Sequence, residues 1–359
     1  MSARDYREID PTDFKRRVLG WIESIRIEGP EYGRYLGSSM GTVPFGMYQS
    51  CYAAIVRFYY RDLAGLSDDE QSQLIDYIAS FQDSRSGWFN DPGIPFFRSG
   101  KRGVEEYFHQ SSFADAALEC LGARPRYPIH FLTMSPSEYT DWLEHLSWMN
   151  DPWMASVWVM MSTLLKTKEL EAPGASDAAK ESWLDTVFAW LDRHQDEATG
   201  FWSTDRGASL YQGFGAAFHH WVLYAQYSRP LALLEKSIDN TLAMQRRDGH
   251  CGRGMGQTDY DLAFGLYFLA SRSDYRRAEI IEAAKRLLSA QMAVWNDDGG
   301  FYSLEEYEYF NTAAWFARPL ESDLVATYFR TKCLVYASQL SIPDNPFGTL
   351  FSGTDLRYR

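Results

Sequence analysis

Two aspartates stand two places apart in the stretch Gly256-Gln257-Thr258-Asp259-Tyr260-Asp261. Neighbouring carboxylates raise one another's proton affinity, so one of such a pair can stay protonated near neutral pH and act as a general acid. An aspartate at a helix start also has a structural use, because it answers the exposed N–H groups and the helix dipole. Three histidines add proton-transfer capacity: His109 in EYFHQSSFADAALECL, and His219 and His220 in LYQGFGAAFHHWVLYAQY. Adjacent helical residues point about 100° apart, so at most one of His219 and His220 can face a common cavity. Asp115, Asp151 and Asp323 lie in or beside similar apolar runs, with Tyr48, Tyr107, Gln110, Trp153, Tyr211 and Tyr260 as candidate binding groups. The glycines of GHCGRGMG fit no phosphate-cradle spacing and read as a flexible rim loop, on which Arg253 is a candidate contact for an anionic substrate group.

These residues need elements to position them, and the chain supplies pairs. Phe14 to Ile27 is amphipathic, with Phe14, Val18, Trp21, Ile22 and Ile25 on one face, and the run from Met47 to Tyr60 that follows is apolar nearly all round. Further pairs are expected over 67–82 and 106–121, 137–148 and 151–165, 178–194 and 210–227, 230–245 and 259–272, and 278–291 and 323–340. Ser67 with Glu70 has the spacing of a capping box, and Pro152 after Asp151 suits a first helical turn. Several first helices end near a glutamine at 82, 195, 245 or 291, and a glycine-aromatic turn follows. An amphipathic helix belongs outside, whereas one that is apolar all round must be buried on every side. The expected fold is all-α: a single (α/α)6 toroid of six outer and six inner helices over residues 1–359, with ordered repeats from about 14 to 340 and an irregular tail over 341–359. An open solenoid of helix pairs is the alternative.

Gln195-x4-Gly200-Phe201-Trp202 fits the Q-x(2–5)-G-x-W repeat of the squalene–hopene cyclase type, and Gln82-x4-Gly87-Trp88-Phe89 differs in placing Trp one position early. Gln245-x3-Gly249 and Asp298-Gly299-Gly300-Phe301 are looser versions. On these motifs the chain resembles the terpenoid cyclase and protein prenyltransferase superfamily over roughly 14–340. The resemblance implies an α/α toroid. It also implies a D-x-D-D-like proton donor, with Asp261 as the acid and Asp259 as its partner, although Leu262 stands where the last Asp would be. The prenyltransferase zinc site needs a Cys where this chain has Asp261, and a His near Asp323, so no metal or other cofactor is expected.

A net charge of -13 argues against nucleic acid, whose binding rests on neutralising phosphates. No apolar run is long enough to cross a membrane, the N-terminal stretch has no apolar signal core, and the four cysteines form no CxxC pair, so the expected location is the cytoplasm. With 12 Trp, 23 Tyr and 22 Phe, the chain has more aromatic surface than a core alone requires. Three readings remain open. An aspartate could protonate an isoprenoid in an aromatic cavity; Asp, His and Tyr could act on a glycan in a toroid cleft, as a lyase, hydrolase or epimerase; or the fold could be a non-catalytic binding scaffold. The partner expected is a small-molecule substrate.

Overall fold

The computed structural model describes residues 5–41, 45–92, 105–129, 134–171, 176–252, 254, 256–304, 307–308, 316–318, 320–341 and 345–351. The chain is all-helical. Its outer helices are α1 (Pro11–Ser24), α3 (Asp68–Ala79), α5 (Pro136–His145), α7 (Asp177–Arg193), α9 (Leu234–Met244) and α11 (Arg277–Ala293). They alternate with α2 (Met47–Tyr59), α4 (Glu105–Cys120), α6 (Pro152–Leu170), α8 (Leu210–Gln226), α10 (Gln257–Ala270) and α12 (Leu324–Leu340). A two-residue antiparallel pairing of β1 (Tyr307–Glu308) with β2 (Phe316–Ala317) lies between α11 and α12.

Local chemistry starts these helices. Asp10 caps α1 ahead of Pro11, and Ser67 with Glu70 closes a capping box on α3. The cap of α5 is Ser135 boxed with Glu138, two residues ahead of the expected helix start at 137. Asp151 caps α6 with Pro152 in its first turn, Ser209 caps α8 and Asp323 caps α12. The odd-numbered helices bury one stripe: α1 buries Phe14, Val18, Trp21 and Ile22. The even-numbered ones are buried on more sides: α2 buries twelve of its thirteen residues, and on α12 the sixteen buried positions include Arg330 and Lys332.

Each even-numbered helix packs on the next, from α2 through α12, and α12 packs on α2. Pairs of contacts that advance together along neighbouring helices make these six helices parallel. Tyr48 and Tyr52 on α2 meet His109 and Phe113 on α4, and Trp153 and Ser156 on α6 meet Tyr211 and His219 on α8. Phe218 and Trp221 on α8 meet Tyr260 and Phe268 on α10, and Asp259 and Phe264 on α10 meet Arg330 and Tyr336 on α12. Tyr52 of α2 and Tyr60 just past its end meet Tyr328 and Thr331 on α12. Their first turns therefore share one end of the molecule.

The glutamine turns are clamps between consecutive helix pairs. Gln82 Nε2 donates to the Gly87 carbonyl at 2.7 Å and to the Tyr127 carbonyl at 2.8 Å. Gln195 joins Gly200 to Ala232, and Gln245 joins Gly249 to Ala283, in the same way. Each of these three glutamines therefore ties its own turn to the next helix pair. The glycines take left-handed φ angles and press on the next pair: a Cβ on Gly87 would strike the Pro128 carbonyl, and one on Gly299 would strike the Arg17 carbonyl of α1. The last pair thus seats on the first. The tail is not irregular throughout, because Phe347–Leu350 forms α13 and sets Phe347 against Phe14 with ring centroids 5.0 Å apart.

Candidate functional site

The N-terminal end of α10 carries both aspartates of the Asp-x-Asp motif, Asp259 in its first turn and Asp261 just beyond it. Gly256, at φ +93°, ends the preceding loop with its backbone against Arg330, and Gln257 begins the helix. Asp259 is buried and fully engaged. Its Oδ1 accepts from the Cys251 amide at 2.7 Å, and its Oδ2 accepts from His250 Nδ1 at 2.7 Å, Gln291 Nε2 at 3.2 Å and Arg330 Nη1 at 3.3 Å. Arg330 also donates to Gln291 Oε1 at 2.8 Å and to the carbonyls of Tyr302 and Gly254. Burial pushes the Asp259 carboxyl up, but the His250 hydrogen bond, the charge of Arg330 and the Cys251 amide outweigh it and hold it below its ordinary value. Asp259 is an ionised brace that ties the loop before α10 to α11 and α12.

Asp261 has the opposite surroundings. It is 0% exposed and neither carboxyl oxygen has a hydrogen-bond partner. Burial drives its proton affinity well above the ordinary carboxylate range; Lys332 pulls it down in part and Asp259 pushes it further up. Lys332 lies on α12, equally buried, with Nζ donating to Tyr328 Oη at 3.1 Å and standing 4.2 Å over the Tyr260 ring and 5.0 Å over the Tyr328 ring. Burial brings its amine down to about 7, against the opposing pull of Asp261. Burial thus disfavours the charged form of both the Asp261 carboxyl and the Lys332 amine.

The histidines divide as the helical geometry requires. His219 faces inward: Nδ1 lies 2.7 Å from the Gly215 carbonyl and 3.0 Å from Ser156 Oγ, and its ring is 6.2 Å from that of Trp153. His220 faces the outer layer between Trp202 and Trp148, with neither ring nitrogen hydrogen-bonded. His109 bonds through Nδ1 to Tyr48 Oη and retains some accessible surface while packed against Phe113. Burial lowers both His109 and His219 to about 3, and His219 senses the charge of His109 although α6 lies between their helices.

The remaining candidates scatter. Asp151 caps α6 through Met154, and Asp323 caps α12 through Ala326 while accepting from Ser303. Gln110 holds the Asp91 amide, and Tyr107 rests on Trp88. Asp115 pairs with Lys168 nearer the C-terminal ends of α4 and α6, where both line a cleft of about 470 Å³ far along those helices from their first turns. Trp153 lies half-buried, its ring over Gly215 and 5.5 Å from the exposed Tyr211. Arg253 lies outside the described residues.

Sequence reasoning missed Arg330, Lys332, His250 and Gln291. The signal for the first two was two cations inside the apolar run DLVATYFRTKCLVYASQL. Gln291 had a subtler one: it follows the clamp spacing but turns inward to Asp259 and Arg330. A zinc site does not fit here, because Arg330 already compensates Asp259 and Asp323 is used by its helix cap. Among the described residues no group of three His, Cys, Asp or Glu is arranged to hold a metal, and no helix is long and apolar enough to cross a membrane.

Comparison with protein-family models and with curated proteins finds no match to this chain.

Proposed function

We propose that the chain is a single (α/α)6 toroid enzyme of the terpenoid-cyclase type, in which Asp261 protonates an isoprenoid. The toroid reading is supported by the cyclic packing of α2, α4, α6, α8, α10 and α12, and by the seat of Gly299 on Arg17. The observation that carries the reaction is the Asp261 carboxyl: buried, without a hydrogen-bond partner, and the chain neighbour of Tyr260. Such a group keeps its proton at neutral pH. The aromatic faces of Tyr260, Phe218, Phe329 and Tyr328 nearby would stabilise a carbocation. An oily substrate also suits the end at which the inner helices begin. Of the seven exposed large hydrophobics among the described residues, Met40, Phe45, Met149, Tyr211 and Leu320 lie there.

A carbohydrate-active enzyme is the second reading, favoured by one feature. The Tyr48–His109 hydrogen bond and the Trp153–Tyr211 ring pair offer an acid–base couple and a stacking platform near that end.

The test is product analysis by mass spectrometry after incubation with linear isoprenoids and isoprenoid diphosphates, with Asp261→Asn in parallel. A cyclic product that disappears in the variant is the expected result. Turnover that survives Asp261→Asn removes the acid role. Turnover of uronate-containing or neutral oligosaccharides, and of no isoprenoid, replaces the cyclase reading with the second.

A further inference from the structure

We propose that Lys332 is a positioning residue for the acid, its ammonium stabilising the carboxylate that Asp261 becomes once its proton has left. The role rests on the reading of Asp261 as the general acid. In that step the alkene π electrons take the proton from the Asp261 carboxyl to form a C–H bond, and the substrate becomes a carbocation. The carboxylate is left in a dry interior, where an uncompensated charge is strongly disfavoured.

The geometry supplies the compensation without quenching the acid. Lys332 Nζ is held from two aromatic faces and by the Tyr328 hydroxyl. One of those faces belongs to Tyr260, the chain neighbour of Asp261, so the clamp on the cation is built into the turn that carries the acid. No hydrogen bond joins the two, because both Asp261 oxygens lack a partner. A directly bonded pair would hand the proton to the amine for good; a carboxyl far from any cation would hold it too tightly to release. The other groups bearing on the pair are fixed in charge or neutral. Asp259 is compensated by Arg330, burial pushes the Cys251 and Cys333 thiols up and keeps them neutral, and the buried Cys120 of α4 also bears on Lys332. Tyr211 at the start of α8 senses Asp261 and has its hydroxyl pushed up to about 12, chiefly by burial.

Coupling between two sites is reciprocal, and this gives a test that needs no substrate. The full chain is labelled with ¹³C at the Asp carboxyls and Lys Cε carbons, and the two signals are identified by their loss in Asp261→Asn and Lys332→Met. In Lys332→Met the Asp261 midpoint should rise by about one pH unit or more, and in Asp261→Asn the Lys332 midpoint should fall by the same amount. Lys332→Arg should return the Asp261 midpoint most of the way. If Lys332→Met does not fold, the Asp261→Asn and Lys332→Arg arms carry the comparison. Midpoints that do not move in folded variants overturn the role of Lys332, even where Asp261→Asn abolishes turnover. Turnover retained in Asp261→Asn overturns the acid reading and this role with it.

Discussion

Asp259 and Asp261 lie two residues apart on α10, and their proton affinities are driven in opposite directions. Two helical steps turn a side chain by about 200°, so one carboxyl meets the loop before the helix and the other meets the interior. The loop side offers an amide, a histidine, a glutamine and an arginine; the interior offers tyrosine faces and a lysine one step removed. Environments that separate two carboxyls in this way define which is the acid and which is the fixed charge.

That separation should be visible in the pH dependence of stability. Unfolded, His109, His219 and His220 take up protons below 6.5, whereas the native chain keeps them neutral to much lower pH because burial lowers all three. Each therefore adds stability at neutral pH that is lost on acidification. Asp261 works the other way: the unfolded chain ionises it above 3.8 and the native chain keeps its proton, so its contribution is lost as pH rises toward its native value. Between about pH 4 and 6 these four groups make unfolding take up about two protons, and about three in Asp261→Asn. Urea denaturation across that window should show stability rising with pH in both proteins, more steeply in the variant. Equal slopes would mean that Asp261 is ionised in the native state.

The Asp259–Arg330 pair should behave as a buried ion pair whose halves depend on one another. Asp259→Ala leaves the 0% exposed Arg330 uncompensated and is expected to lose about 3–5 kcal/mol. Arg330→Met should be of similar severity. The double variant should be less destabilised than the sum of the singles by more than about 1 kcal/mol, because neither buried charge then remains. Additive losses in chemical denaturation would remove the network from the account of the site.

Much of the helical fold was legible because its signals are local. Ser67 with Glu70, and Asp151 ahead of Pro152, mark helix starts in a few residues, and the all-round apolarity of residues such as those of α12 requires burial whatever they pack against. Site placement was less legible because it depends on facing. Asp115 and Asp261 both sit in apolar helical runs, yet one pairs with Lys168 beside a cleft and the other turns into the interior. Arg330 and Lys332 stand two apart on one helix, and only the neighbouring α10 and α11 decide that the first braces Asp259 and the second stands over Tyr260. The β1–β2 pairing left no alternating pattern to read in its two-residue strands.

The clamp glycines can be separated from an ordinary turn glycine. Gly122 has φ +73° with nothing within 4 Å of an added Cβ, so Gly122→Ala should lose only about 1 kcal/mol for the left-handed backbone. Gly200 has nearly the same φ, +72°, but a Cβ there would come within 2.6 Å of Ser237 Oγ and 2.8 Å of its amide nitrogen. Gly200→Ala must also push α9 away and should lose about 3 kcal/mol or more. Melting temperatures that fall equally in the two variants would show that the junction does not depend on this close approach.

Trp153 separates the two functional readings. Its ring lies over Gly215, where a Cβ would collide with it, and it approaches both His219 and Tyr211. Gly215→Ala should therefore displace the ring without adding or removing a polar group, and Trp153→Ala should remove it. On the sugar reading the ring is a stacking platform, so both variants should raise KM for oligosaccharide by about tenfold, equivalent to about 1.4 kcal/mol, with smaller change in kcat. On the cyclase reading the ring helps to enclose a folded chain, and its loss admits water. The variants should then release earlier, hydroxylated or less cyclised products at a comparable rate of protonation, because Asp261 and Lys332 are untouched. Product distribution and KM, measured on the same two variants, tell these outcomes apart.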